Sequence, residues 1–465
     1  MHTEHMGPDL EQLRDPAGLT AFIAGSLWDR PGYPDLSVLG ERVASAVADT
    51  VGVGFAGART PAVTRLISAL EPLPVGPCLL WGSERRTDIR TATLINGTAA
   101  HALDFDDVSE LAYTHPSAVL VPVICALADA QVIRRSAVIE AYTLAYQAEA
   151  ALAQGMRLRH HYSQGWHSSG VLGPISAAIA AAHILGLNVD QARVSIGLAV
   201  SNASGTIANF GSDAKSLLIG ESARNGLQAA QLAAAGYTSG RDALGAFGGL
   251  LSMFGDHDGN DRVREAIAGD WALLKHGADV KPYPACSAAR CSIDAAIQIS
   301  RRLRSTTTDI VSIEVTVESA GLDALRFRHA ETPDRARFSM HTLVALALMD
   351  GTINSSSFTA NSLARAELRR LAGITRASAS PTPTFGPRDW KDAYSVVRVE
   401  RTKGDLIVER ADAPHGEPWP RDRLRHKFTE NLELSGTNQQ KANELWTSAM
   451  SLASPLLQER FQIRV

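Results

Sequence analysis

Residues 174–185 read Pro-Ile-Ser-Ala-Ala-Ile-Ala-Ala-Ala-His-Ile-Leu. Gly173-Pro174 predicts a helix start here, and the helix to about Leu185 is almost entirely Ala and Ile. A helix that is apolar on every side cannot face water and must be buried. The residues around it must therefore supply its surroundings. Val189 to Ala208 and Ser222 to Tyr237 repeat the Ala-rich character, with Phe210 to Lys215 as a break between them. Arg135 to Gln154 is a further long Ala-rich helix. Leu36, Leu39, Val43 and Val47 follow helical spacing and lead into a Gly-containing run, Thr50 to Gly57. Residues without Cβ let backbones approach, so these glycines predict close helix contacts. Residues 35 to about 270 thus read as a bundle of Ala/Gly-rich helices.

The character changes after Gly277. Val311, Ile313, Val315 and Val317 alternate with polar residues, the pattern of a half-buried strand. Helices are expected at 336–350 and 364–371, and a Ser/Thr/Pro-rich loop at 375–389. Ser395–Glu400 and Leu406–Glu409 form a predicted hairpin across Lys403-Gly404. A linker at 414–420 precedes a return to helix at 421–432 and 438–457. With 465 residues, more than one core is expected. The fold class is mainly α: a large all-α domain (1–277 and 416–465) interrupted by a smaller α+β domain (278–415).

The net charge is −4, with no long basic run, which argues against a nucleic-acid partner. Cys78, Cys125, Cys286 and Cys291 match no zinc spacing, and so few cysteines suggest a reducing compartment. The first residues lack a basic region followed by an apolar one, so no signal peptide is read. No apolar run is long and unbroken enough to span a membrane. A cytoplasmic enzyme or binding protein is the expectation.

Chemistry concentrates in Asn96 to Asp107, where His101, Asp104, Asp106 and Asp107 fall within seven residues. Thr114-His115-Pro116-Ser117 follows. If the preceding helix continues through Leu103, His101 and Asp104 lie at i and i+3 on one face. A carboxylate and an imidazole so placed can remove and return a proton. The competing reading makes the aspartates caps of a neighbouring helix and His101 a satisfied core histidine.

Six stretches, taken in order, resemble the MmgE/PrpD family. They are Asn96 to Asp107, Thr114 to Ser117, Gly165-Trp-His-Ser-Ser-Gly-Val-Leu-Gly173, Phe210 to Gly226, Lys281-Pro-Tyr-Pro-Ala-Cys286 and Ala336-Arg-Phe-Ser339. The resemblance implies a helical domain with an α+β lid, a homodimer, a small polycarboxylate substrate, and no metal or organic cofactor. It places site positions on Asp104, His115, His167, Lys215 and Lys281. Val108 and Cys286 stand where decarboxylase members carry threonine and histidine, which weighs against decarboxylation.

Removing a proton α to a carboxylate needs a base and concentrated positive charge. Lys215 and Lys281 fit the second need, and Arg224 and Arg290 are candidates to add to it. His115 and His167 fit acid and base roles on opposite sides of a planar intermediate. Asp104 is expected to orient a histidine or a substrate hydroxyl, His101 to be structural, and Trp166 to pack the pocket wall. Cys286 reads equally as a weak acid or a small apolar filler. Cys291, His160 and His161 are given no catalytic role. A metal held by Asp106, Asp107 and His115 is disfavoured, because no further ligand cluster lies near. The reactions implied are dehydration of a 2-methylcitrate-like hydroxy-polycarboxylate, then epimerisation of a dicarboxylate, then decarboxylation. A non-catalytic polycarboxylate-binding protein is the reading from another class.

Overall fold

The computed structural model describes residues 18–29, 35–303, 307–386, 393–413, 418–454 and 456–463. The first seventeen residues and 414–417 of the expected linker lie outside this range. The all-apolar helix is present but starts earlier than its proline suggested: it runs Ser168–Ile184, and every residue from Ser168 to Ala182 is buried. A proline inside a helix removes one N–H and crowds the carbonyl four residues before it. Here that carbonyl belongs to Gly170, and it accepts from Ser204 N at 3.1 Å. Its lost helical partner is thus replaced from a neighbouring loop, and Pro174 is accommodated in mid-helix.

The surrounding layer consists of Pro116–Ala130, Arg135–Gly155, Val189–Val200 and Asp213–Ala234. Two of these boundaries correct the sequence reading. The Val189 helix stops at Val200 rather than Ala208, and the next begins at Asp213 rather than Ser222. Lys215 therefore lies in the first turn of a helix, not in a break.

Leu36–Gly57 packs against Ile89–His101 on one side and the C-terminal helices Arg421–Leu434 and Gln439–Met450 on the other. The expected close contacts occur at its glycines. A Cβ on Gly57 would lie 1.9 Å from the Ala99 carbonyl oxygen. Backbone cannot give way as a side-chain tip can. Gly57→Ala is therefore expected to destabilise the protein by about 1–3 kcal/mol, read as a lower urea midpoint. An unchanged midpoint would show that the two helices do not touch there.

A second hydrophobic cluster is built on a four-stranded sheet ordered Thr375–Ala379, Ile310–Val317, Ala393–Arg401, Leu406–Ala413. The first pair is parallel and the others antiparallel. Thr375–Ala379 was expected to be loop. It is an edge strand in which only Thr375 is buried, so it carries no apolar alternation to read. Arg290–Leu303, Met340–Asp350 and Ala366–Ile374 pack on the sheet. Among the described residues, no helix is long and apolar enough to cross a membrane.

Candidate active site

The helix Ile89–His101 ends at His101, two residues short of the expected Leu103. Asp104 lies beyond it with φ 51°, a left-handed conformation that costs a non-glycine residue about 1–3 kcal/mol. Three buried cations hold the turn. The Leu103 carbonyl accepts from Arg337 Nε at 3.0 Å, the Asp104 carbonyl from Lys281 Nζ at 3.1 Å, and the Phe105 carbonyl from Lys427 Nζ at 2.8 Å. They arrive from three distant parts of the chain. Each satisfies a carbonyl that no helix or strand would otherwise satisfy.

The Asp104 carboxylate is buried between two ammonium groups, Lys215 Nζ at 2.8 Å and Lys281 Nζ at 3.3 Å. Burial alone would raise its pKa, but the two ammonium groups outweigh it and hold the carboxyl well below the usual range. Burial likewise opposes the charge on Lys281, and Asp104 more than restores it, raising its pKa. Lys215 Nζ also donates to His101 Nε2 and lies 5.0 Å from the Phe210 ring and 5.1 Å from the Phe338 ring.

Asp106 is fully buried, with His101 Nδ1 at 2.9 Å and His115 Nδ1 at 3.2 Å from the same carboxylate oxygen. His115 Nδ1 is also 3.0 Å from the Asp107 carbonyl. Asp107 itself behaves as the capping reading expected: its carboxylate accepts from Ser117 N at 3.2 Å and from the Ser117 hydroxyl. Burial pushes its pKa well above normal. All three histidines are shifted toward the neutral form. Burial takes His101 down to about 3, lowers His115, and drives His167 well below the usual value with help from Lys215.

The helices Pro116–Ala130, Ser168–Ile184 and Asp213–Ala234 all begin at this point. His115 and His167 are the N-cap residues of the first two, and Lys215 is the third residue of the last. His115 N donates to Ser169 Oγ at 3.0 Å, tying the first two starts together. Helix N-termini carry partial positive charge. Added to the lysines, they make this a place for an anion.

These groups line a cavity of about 750 Å³ that also reaches Val108, Cys286 and Arg290. Burial, reinforced by Asp104, pushes the Cys286 thiol up to about 11, so it keeps its proton at neutral pH. The structure therefore brings together Asp104, His115, His167, Lys215, Lys281, Cys286 and Arg290. It does not bring Arg224 with them: that side chain pairs with Glu221 on its own helix and does not line the cavity. Trp166 does not pack the pocket wall either. It stacks on His161 and meets Phe254 edge-on, and Phe210, Phe338 and Tyr162 form that wall instead.

His101, read as structural, donates structure in an unexpected way: it joins Asp106 to Lys215. Arg337 and Lys427 were not singled out at all. The only sequence signal for Arg337 was its place inside the Ala336-Arg-Phe-Ser339 stretch, and Lys427 sits in a helix crowded with other charges. Among the described residues, His101, Asp104, Asp106 and His115 offer atoms within 4.8 Å of one another. The Lys215 ammonium, bonded to both His101 and Asp104, already supplies a cation there.

The MmgE/PrpD N-terminal domain matches residues 33–262 and the MmgE/PrpD C-terminal domain residues 283–450. The chain is 25% identical over 401 residues to cis-aconitate decarboxylase of Mus musculus, covering 83% of this chain and 80% of the relative. It is 26% identical over 413 residues to the Homo sapiens protein of that name, covering 84% and 83%. The Aspergillus terreus protein of that name is 25% identical over 449 residues, covering 90% and 91%. The two family matches together span most of the sequence, and the chain belongs to the MmgE/PrpD family.

Proposed function

We propose that this protein is a lyase that dehydrates a small hydroxy-polycarboxylate of the 2-methylcitrate type, by proton abstraction α to a carboxylate. The observation that carries the reading is one cavity lined by His115, whose burial shifts it toward the neutral form, and by the Lys215 and Lys281 ammonium groups. With Nδ1 turned to the Asp107 carbonyl, His115 Nε2 is the basic atom. It takes the Cα proton while Lys215 and Lys281 offset the charge that builds on the substrate carboxylate. The imidazolium then passes that proton to the departing hydroxyl, which leaves as water. His167 lines the same cavity, and its Nδ1 is buried without a hydrogen-bond partner.

Decarboxylation is the second reading, favoured by the names of the relatives. Loss of CO2 from an unsaturated polycarboxylate leaves a carbanion that needs an acid. The neutral histidines do not start as acids, and Cys286, protonated at neutral pH, is the donor at hand.

Proton NMR in D2O against 2-methylcitrate, citrate, cis-aconitate and substituted succinates separates the readings. A new alkene product is the expected result, seen as a vinylic methyl signal from 2-methylcitrate or a vinyl proton from citrate. Itaconate would favour decarboxylation, and solvent deuterium at Cα with no new product would favour epimerisation. Inertness toward every compound would count against all three. Lys215→Ala and Lys281→Ala are each expected to cost about 1–3 kcal/mol of transition-state stabilisation, as charge-assisted contacts do. Wild-type kinetics in both variants would remove the site from this position. The homodimer implied by family resemblance belongs to the same reading, and light scattering showing twice the chain mass tests it.

A further inference from the structure

We propose that Asp106 is the positioning residue for two histidines at once, a single carboxylate that fixes both His101 and His115 as Nδ1–H tautomers and turns both Nε2 lone pairs inward. The inference rests on the active-site reading above and deepens it. Asp106 is fully buried and does not itself line the cavity. Its oxygens lie 2.9 and 3.0 Å from His101 Nδ1, and one of them lies 3.2 Å from His115 Nδ1. An ionised carboxylate only accepts hydrogen bonds. The Asp107 carbonyl, 3.0 Å from His115 Nδ1, also only accepts. Both Nδ1 atoms must therefore carry hydrogen, since a lone pair facing these oxygens would be repelled.

A neutral imidazole has one N–H, so each Nε2 becomes an acceptor. In His101 it receives Lys215 Nζ, which in turn donates to Asp104 at 2.8 Å. In His115 it is left for a substrate proton. The two rings lie 4.3 Å apart and are tilted by 60°, so one carboxylate can reach both. Asp106 thereby sets the direction of the base and the seat of one substrate-binding ammonium together. Its role is carried through His101 and His115, not by touching substrate.

The test is histidine-selective ¹⁵N labelling of the full chain, with tautomers read from long-range proton–nitrogen couplings and assigned through His101→Gln and His115→Gln. Nδ1–H signatures for both residues are expected in the unsubstituted protein. In Asp106→Asn an amide nitrogen in the place of the shared oxygen presents N–H to both Nδ1 atoms, and at least one ring is then expected to switch to Nε2–H. A wrong tautomer in an otherwise intact triad drops kcat by about 10⁴ in serine proteases. Here a fall in kcat of about 10² or more is expected, with KM changed far less. An Nε2–H signature for either histidine in the unsubstituted protein overturns the proposal, even if the variant fails to fold. So does a folded Asp106→Asn variant that keeps both tautomers and its kcat while only its Tm drops. The tautomer measurement needs no substrate, so the proposed reaction can fail without deciding this point.

Discussion

His115→Gln is expected to lower kcat by about 10²–10⁴-fold, the usual contribution of a general base. Glutamine keeps the size and a hydrogen-bond donor for the Asp107 carbonyl but has no basic nitrogen. Stability is therefore expected to change little while turnover collapses. The pH profile sharpens the expectation. Burial lowers the His115 pKa below its ordinary 6.5. The working form is the unprotonated one, and a lowered pKa keeps that form populated at lower pH. The acid-side fall of kcat/KM is thus expected at a lower pH than an ordinary imidazole would give. A rate that climbs as the pH drops would mean the reaction starts from an imidazolium. That outcome would replace dehydration with a route that begins by donating a proton.

Lys427→Met is expected to be strongly destabilising. Lys427 Nζ lies 2.7 Å from Asp49 and 2.8 Å from the Phe105 carbonyl, and both charged side chains are almost wholly buried. Removing one partner of a buried ion pair leaves the other charge uncompensated, which typically costs about 3–5 kcal/mol. Here the loss also orphans a carbonyl next to Asp104, so activity should fall with stability. The urea midpoint measures the first effect. Combining Lys427→Met with Asp49→Leu is expected to recover much of the loss, because no buried charge is then left alone. A single variant as stable as the parent would show that water reaches Asp49.

Some of this molecule is legible along the chain. The run Ile310–Val317 and the helix Leu36–Gly57 lie near the ends their apolar spacing predicts. Yet Val311, expected on the buried face, is exposed where the strand register shifts at Ile310/Ser312, and the helix is buried all round from Ala46 onward. Thr375–Ala379 was missed because an exposed edge strand buries almost nothing. Arg224 shows how a boundary error becomes a site error. It lies nine residues after Lys215 on the helix Asp213–Ala234. That is about two and a half turns, which sends the two side chains to opposite faces. With the helix read as starting at Ser222, that phase relation was not visible, and both were assigned to substrate.

Composition alone dictated the buried helix at the centre, since Ala and Ile on every side leave no face for water. It also set out the residue types of the site, for Asp104, Asp106, His101 and His115 stand close together in the chain. Tertiary structure decided their partners. His167, Lys215 and Lys281 come from separate segments and meet because helix starts and the segment leading into the second hydrophobic cluster converge on one turn. Arg337 and Lys427 reach that turn from still farther away. A local pattern records which face of an element is apolar. It does not record which buried cation will find which carbonyl, because that pairing exists only once the elements have packed.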